Sequence, residues 1–284
     1  MKTRILVIGG TGLMGRPVSY ALKEAGHTVR ILTRDVQKGK RLFNDSFEII
    51  AGNPADPGSL GRALKDSSGV HISLPTEVEQ QVAEGVAQSA SGSGVKRISY
   101  ISGATVAEEN RWFPMINRKF IAEKALRESG VPSTIFCPTW VMESLPLFVR
   151  GGRASVLGKQ PCPYHWVAAD DLARMVAASY GCGEAANNRF LVFGPQAIFM
   201  REALKRYCAV FHPEIRTVSA MPFWILDALA AVTRNRELKK AVDMMSYFEK
   251  IGEGKNPAVE TRILGAPSTT LDMWLEKRQS ARDK

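Results

Sequence analysis

The 284-residue chain has no apolar run approaching the roughly 18 residues that a bilayer span needs. The best candidate, MPFWILDALAAV, is short and broken by Asp227. The N-terminal MKTRILVIGG is no secretory signal: its apolar run is too short and ends in a glycine turn, without a cleavage site. These absences predict a chain with no transmembrane segment, soluble and cytoplasmic. Cysteine is scarce. Cys137, Cys162, Cys182 and Cys208 lie far apart with no CxxC pair, so zinc and redox motifs find no support and reduced thiols are expected. The four histidines, His27, His71, His165 and His212, follow no HExxH or other metal spacing, and no metal is predicted. Internal repeats, low-complexity linkers and basic stripes interleaved with aromatics are all missing, which argues against a nucleic-acid partner.

What is present is an ordinary globular composition with an excess of positive charge. Hydrophobic residues make up 45% of the chain, enough for one substantial core, or for one core plus a small appended lobe. The net charge is +10, and residues 1–75 hold 11 Lys+Arg against 6 Asp+Glu. A polyanionic small ligand accounts for part of that local excess, and a solvated surface for the rest.

Continuous apolar runs alternate with helical patterns. Ile5 to Ile8 reads as a parallel strand buried on both faces. TVRILT, FEIIAGN, GVHISLP, VKRISYISG and PSTIFCP follow as five further strands, and NRFLVFG as a seventh. Helices are predicted over Val18–Ala25, over Leu60–Lys65 after the start signal Asp56-Pro57, along the Val78, Val82, Val86, Ala90 stripe, and over Lys119–Glu128. Later helices are predicted from Asp170/Asp171 to Tyr180, over Met200–Phe211, around 222–233 and 236–249, and at the C-terminus with a cap near Ser268 or Thr270. IRTVS and the start of TRILGAPSTT are read as short strands. The alternation predicts an α/β, Rossmann-type doubly wound parallel sheet with a small interleaved C-terminal α/β lobe. The predicted organisation is a single domain over 1–284, its core about 1–150 plus 165–195 and its substrate lobe about 196–284. Ligands of such sheets bind at the carboxyl ends of the strands.

The sharpest motif is VIGGTGLMG. Gly10-x-Gly12-x-x-Gly15 matches the dinucleotide fingerprint, and Gly9-x-x-Gly12-x-x-Gly15 the short-chain dehydrogenase spacing. Glycine lets the backbone turn tightly and approach a pyrophosphate, while the following helix aims free N–H groups at it. The alternative is a loop kept only for packing. The second strand ends in Thr33-Arg34, where a carboxylate would mark NAD(H) and an arginine suits the 2′-phosphate of NADP(H). Lys38, one turn on, adds a second cation. NADP(H) is therefore expected over NAD(H), with Asp35 as the acidic residue that would reverse the preference.

At VIGGTGLMGRPV, ILTRDVQKGKRL, AGNPADPGSL, RKFIAEKALRESGVPSTIFCPTWVMESL, WVAADDLARMV and LGAPSTTLDMWL the chain resembles the atypical short-chain dehydrogenase/reductases, and within them the NmrA-like NAD(P)-binding group. The resemblance implies roles by position. Thr11, Gly12, Leu13 and Met14 line the pyrophosphate; Arg34 and Lys38 meet the 2′-phosphate; Asn53 lies near the adenine. Ser73 and Leu74 flank the nicotinamide ribose, Ser102 and Gly103 lie beside the nicotinamide, and Pro138 and Thr139 lie under its carboxamide. Lys119 corresponds to the helix lysine that holds the nicotinamide-ribose hydroxyls.

The departures are informative. The family's Tyr-x-x-x-Lys places a phenol four residues before the lysine, where it exchanges a proton with substrate. Here that position is Met115, and methionine transfers no proton. Three roles for Lys119 stay open: ribose binding, action alone as an acid, and a surface ion pair with Glu123. Ser102, Trp140, Met142 and Trp166, with Leu145, Trp112 and Phe113 nearby, are candidates for an apolar substrate wall or for ordinary core. Asp171 reads as a helix cap. Tyr164-His165, in a proline-bounded loop, is the one adjacent pair able to move protons. PFWILDALAAVTRNRELKK, apolar in front and basic behind, suits a membrane or partner contact, or a helix pair closing the lobe. The expected function is reduction of a small apolar acceptor, a quinone or an activated alkene or carbonyl. The alternative is a non-catalytic NADP(H) sensor or assembly factor. Either is expected as a monomer or homodimer.

Overall fold

In the computed structural model, which describes residues 3–254 and 262–282, strands and helices follow in the order β1 (Arg4–Ile8), α1 (Gly15–Glu24), β2 (Thr28–Thr33), α2 (Val36–Leu42), β3 (Glu48–Ala51), α3 (Pro57–Leu64), β4 (Gly69–Ile72), α4 (Thr76–Ala90), β5 (Arg97–Ile101), α5 (Pro114–Glu128), β6 (Ser133–Pro138), β7 (Val149–Arg150), β8 (Arg153–Leu157), β9 (Pro163–His165), α6 (Ala169–Ser179), β10 (Arg189–Val192), β11 (Ala197–Phe199), α7 (Met200–Phe211), β12 (Val218–Met221), α8 (Phe223–Val232), α9 (Arg236–Ile251) and α10 (Leu271–Arg282). They form two compact units. The first comprises Met1–Pro138, Ala169–Val192 and Pro257–Ala266; the second comprises Thr139–Ala168, Phe193–Asn256 and Pro267–Lys284. Residues 139–168, which the sequence divides between core and connection, thus belong with the second unit.

The first unit is a seven-stranded parallel sheet in the order β10-β6-β5-β4-β1-β2-β3. Its central strands are buried on both faces, so β1 reads as an almost unbroken apolar run, while β4 also buries His71. Local chemistry sets the crossovers. Asp35 caps α2 by accepting the Lys38 N–H at 2.8 Å. Asp56 caps α3 by accepting the Ser59 N–H at 2.7 Å, with Pro57 in the first turn. Buried Arg30 donates to the Ala63 and Lys65 carbonyls at the end of α3 and pairs with Glu48 at 2.9 Å. α5 starts at Pro114, ahead of the expected start at Lys119, because proline suits the first helical position. The buried face of α4 is Glu79, Val82, Ala83, Val86 and Ala90. Val82, Val86 and Ala90 of the expected stripe are thus buried and Val78 is half-buried, while the inward face widens to Glu79 and Ala83 and so takes in a carboxylate.

A buried polar chain crosses this sheet. Tyr180 donates its proton to the Val70 carbonyl at 2.7 Å and its oxygen lies 2.8 Å from Ser99 Oγ, which lies 2.7 Å from His71 Nδ1. With the Tyr180 proton so used, Ser99 donates to Tyr180 and accepts from His71 Nδ1–H. His71 Nε2 is then the bare nitrogen, buried without a partner. Burial pushes the imidazole down to about 3.

In the second unit β8 is central, with β7 antiparallel and β12 parallel to it, and β9 pairs antiparallel with β11. Trp166, Tyr164, Leu145, Met200, Leu204 and Trp274 lie in its core. Tyr164-His165 is strand, not loop, and the strand expected in IRTVS starts at Val218. A single 3₁₀ turn, Arg262–Leu264, replaces the strand expected in TRIL; Thr261 lies outside the described residues. Thr270 Oγ1 accepts the Met273 N–H at the start of α10. All four cysteines are free. Among the described residues no helix is long and apolar enough to cross a membrane, and no three metal-ligating side chains cluster.

Candidate functional site

Parallel pairing brings the carboxyl ends of β1 to β6 to one edge of the first unit. The glycine loop leaves β1 there. Gly9 has φ +88°, and a Cβ on it would lie 1.9 Å from the Ser73 carbonyl oxygen. A Cβ on Gly15 would lie 2.2 Å from the Gly9 oxygen. Packing alone therefore explains Gly9 and Gly15, and Gly10 is hemmed in by Ile31, Ser19 and Val7. Gly12 differs: it is exposed, and its Cβ would meet only the Gly9 oxygen, at 3.2 Å. A loop kept solely for packing does not need a glycine there. Thr11 and Met14 are half-buried, Leu13 is 46% exposed, and α1 begins with no side-chain cap and no acidic residue in its first turn. An uncapped helix start flanked by exposed backbone fits an anion.

At the end of β2, Thr33 is buried while Arg34 and Lys38 are exposed. Arg34 makes no hydrogen bond or ion pair among the described residues, whereas the Asp35 carboxylate is engaged as the α2 cap. Asn53, after β3, is exposed and accepts the Ala55 N–H in an Asx turn. Ser73 and Leu74, after β4, are half-buried against Gly9.

The ends of β5 and β6 hold two buried ionic clusters. In one, Ser102 Oγ donates to Glu123 Oε1 at 2.5 Å, while Glu123 Oε2 accepts from Arg127 at 2.6 Å and from Arg189 at 3.1 Å. The surface pair between Lys119 and Glu123, one of the three sequence alternatives, is therefore not formed. In the other, Lys119 Nζ donates to Glu79 Oε2 at 2.7 Å, and the Tyr100 hydroxyl donates to the same oxygen at 3.0 Å. The Lys119 side chain is 14% exposed and that of Glu79 0%. An ammonium has three donors, and Glu79 takes one. Tyr100 does not replace the phenol missing at Met115. Burial, then the Glu79 charge, pushes its pKa well above the usual phenol range, and its proton is committed. Sequence reasoning missed Glu79 and Tyr100. The available signal was a glutamate on the inward stripe of α4.

Pro138 closes β6, and its carbonyl accepts the Ala104 N–H at 3.0 Å. In the second unit, the Thr139 hydroxyl donates to the His165 carbonyl. Of the aromatic and methionine candidates there, Met142 and Trp166 are 1% exposed and fill the core, with Trp166 Nε1 donating to the Ile198 carbonyl at 3.0 Å. Trp140 is half-buried and packs edge-on against Tyr164 and Phe248. Tyr164 is buried and donates to Gln160 at 2.8 Å, so it is no proton carrier. His165 Nδ1 is paired with Glu253, whose second oxygen accepts the His165 N–H at 2.7 Å. Asp171 lies in the first turn of α6, 3.8 Å from Arg174.

A fully parallel sheet of this order, with a glycine loop between β1 and α1, defines a Rossmann-type α/β protein. The chain belongs to the NmrA-like family, whose model matches residues 1–257. It is 31% identical over 218 residues, 75% of either chain, to the (4-alkanoyl-5-oxo-2,5-dihydrofuran-3-yl)methyl phosphate reductase of Streptomyces griseus subsp. griseus. It is 23% identical to the photosystem II assembly factor Ycf39 of Synechocystis sp., over 96% of this chain and 90% of that one. The crystal structure of Citrobacter sp. triphenylmethane reductase complexed with NADP(H) superposes with a TM-score of 0.77 at 19% identity, covering 96% of this chain and 99% of the other.

Proposed function

We propose that this chain is a cytoplasmic NADP(H)-dependent oxidoreductase that reduces a small apolar acceptor. The observation that carries the cofactor reading is the contrast at the end of β2: Arg34 is exposed and makes no hydrogen bond or ion pair among the described residues, while Asp35 is engaged at a helix cap. The residues present fit the dinucleotide. Gly12 leaves its face of the loop open, the uncapped start of α1 suits the pyrophosphate, and Arg34 with Lys38 suits the 2′-phosphate. Asn53 is at hand for the adenine. Ser73, Leu74, Ser102, Lys119, Pro138 and Thr139 are the proposed nicotinamide-side residues. Glu79 positions Lys119 and leaves two of its N–H donors for the ribose hydroxyls, which favours ribose binding among its roles. The bound dinucleotide supplies the hydride. Relatives named as reductases support the oxidoreductase reading.

A second reading, a non-catalytic NADP(H) sensor or assembly factor, is favoured by Met115, by the sealed Tyr100 proton and by the similarity to Ycf39. Two measurements separate these readings. Titration of NADP+ and NAD+ into the wild type and Arg34→Asp tests the cofactor. Loss of the arginine's charge-assisted bonds is expected to weaken NADP+ about 10- to 150-fold. Equal affinity of the wild type for both cofactors refutes the role of Arg34. NADPH consumption against a panel of quinones and enals tests catalysis, and tight binding without turnover on any acceptor supports the sensor.

A further inference from the structure

Helix α8 is apolar along almost its whole length, yet only Leu226 and Ala230 are buried. Trp224, Leu229 and Val232 are 73%, 45% and 84% exposed, and Ile225, Ala228 and Ala231 are exposed beside them. Its single charge, Asp227, is paired with Lys239 of α9 at 3.0 Å. The chain then turns through Arg234 at φ 51°, a backbone conformation that favours glycine or asparagine after a helix. Arg234 and Arg236 are exposed and make no ion pair among the described residues. The neighbouring Lys239 and Lys240 are neutralised, Lys239 by Asp227 and Asp243 and Lys240 by Glu237. The surface is thus an uninterrupted apolar helix face ending in two unneutralised guanidiniums.

We infer that α8 and the α8–α9 turn dock on an anionic lipid bilayer. Indole and aliphatic side chains partition into the boundary between headgroups and acyl chains, and guanidiniums meet lipid phosphates. Charge complementarity favours this occupant over a second copy. Each chain carries +10, so pairing two copies brings like charges together, whereas an anionic surface attracts each of them. A short surface helix of this kind lies in the interface and does not span it. The inference is independent of the oxidoreductase reading.

The test is co-sedimentation of the full chain with vesicles of phosphatidylcholine alone and of phosphatidylcholine mixed with phosphatidylglycerol, at rising salt. Binding to the anionic vesicles is expected to exceed binding to the neutral ones and to fall with salt. Arg234→Gln with Arg236→Gln is expected to weaken it about 25-fold, taking about fivefold per basic residue near an anionic surface. Trp224→Ser with Leu229→Ser is expected to abolish it at all salt concentrations. NADP+ affinity and thermal midpoint are unchanged in both variants, because the altered side chains are exposed and lie outside the first unit. Failure of the wild type to sediment with anionic vesicles at low salt overturns the proposal. So does binding that survives the Trp224 and Leu229 changes, which would reduce it to general basicity. A concentration-dependent dimer that those changes abolish, without lipid binding, assigns the face to a second copy instead.

Discussion

Replacing Glu79 with glutamine tests whether a buried carboxylate organises the cofactor edge. Glu79 Oε2 accepts from Lys119 at 2.7 Å and from Tyr100 at 3.0 Å, and Oε1 is buried without a partner. At that separation and an effective dielectric near 20, the ion pair is worth about 6 kcal/mol gross. Desolvation of both charges offsets much of this, but removing one partner strands the other, so Glu79→Gln is expected to cost about 3 kcal/mol. The loss stays below the full buried-pair value because Lys119 keeps 14% of its side chain in solvent. Lys119→Met alone strands the carboxylate and should cost at least as much. The double variant removes both charges and is expected to recover about 2 kcal/mol relative to the sum of the single changes. Denaturant unfolding of the four proteins measures the coupling, and NADP+ titration measures the positioning. Glu79→Gln should weaken NADP+ even under conditions where the variant is fully folded, because the ammonium is no longer held. Additivity of the two changes within about 0.5 kcal/mol would refute the pairing. Unchanged NADP+ affinity would refute the positioning role.

The glycine loop should separate stability from binding. Gly9→Ala places a Cβ 1.9 Å from a backbone oxygen at φ +88° and is expected to cost more than about 3 kcal/mol in thermal or denaturant unfolding. Gly12→Ala is expected to cost under about 1 kcal/mol yet weaken NADP+ at least about tenfold; unchanged affinity would return the loop to a packing role. His71 makes stability depend on pH. Its pKa is about 3 when folded and near 6.5 when unfolded, so its contribution is complete above about pH 6.5 and is lost as pH falls toward 3. Wild type should lose about 2 kcal/mol between pH 7 and pH 5 that His71→Asn does not lose. Parallel pH profiles of the two proteins would show that the imidazole is not buried neutral.

The parallel sheet was legible in the sequence because its strands are short, mostly apolar runs, interrupted only singly by residues such as Arg30, His71 and Ser99, and punctuated by turn residues and capping aspartates. Asp56-Pro57 marked the start of α3 for the same reason. The second unit was less legible. β7, β9 and β11 are two or three residues long and carry no periodic signal. The glycine loop, Arg34 and Lys119 could be named from local pattern, but the partners of Lys119 could not. Glu79 lies 40 residues from Lys119 and 21 from Tyr100, and only the crossover of α4 beside β5 brings them together. Glu123 shows how a local rule can mislead. Lys119 and Arg127 stand at equal spacing on either side of it, and helix geometry prefers the acid on the N-terminal side of the base. Arg127 is therefore its helix partner, and Lys119 is left for Glu79.

These pairings bear on which acceptors this edge can serve. The Ser102 hydrogen is committed to Glu123, which is held by Arg127 and Arg189, so the hydroxyl presents lone pairs to any ligand. The Tyr100 proton is committed to Glu79. Met115 stands where the family's phenol would be. Of Ser102, Tyr100 and Lys119, Lys119 alone has protons to spare, and ribose hydroxyls compete for them. Reducing a ketone creates a strongly basic alkoxide in need of a positioned acid, whereas reducing a quinone or an activated alkene leaves a delocalised anion that water can protonate. Under the oxidoreductase reading proposed above, an edge with its phenol sealed would favour acceptors whose reduction needs hydride from the cofactor and little acid from the protein.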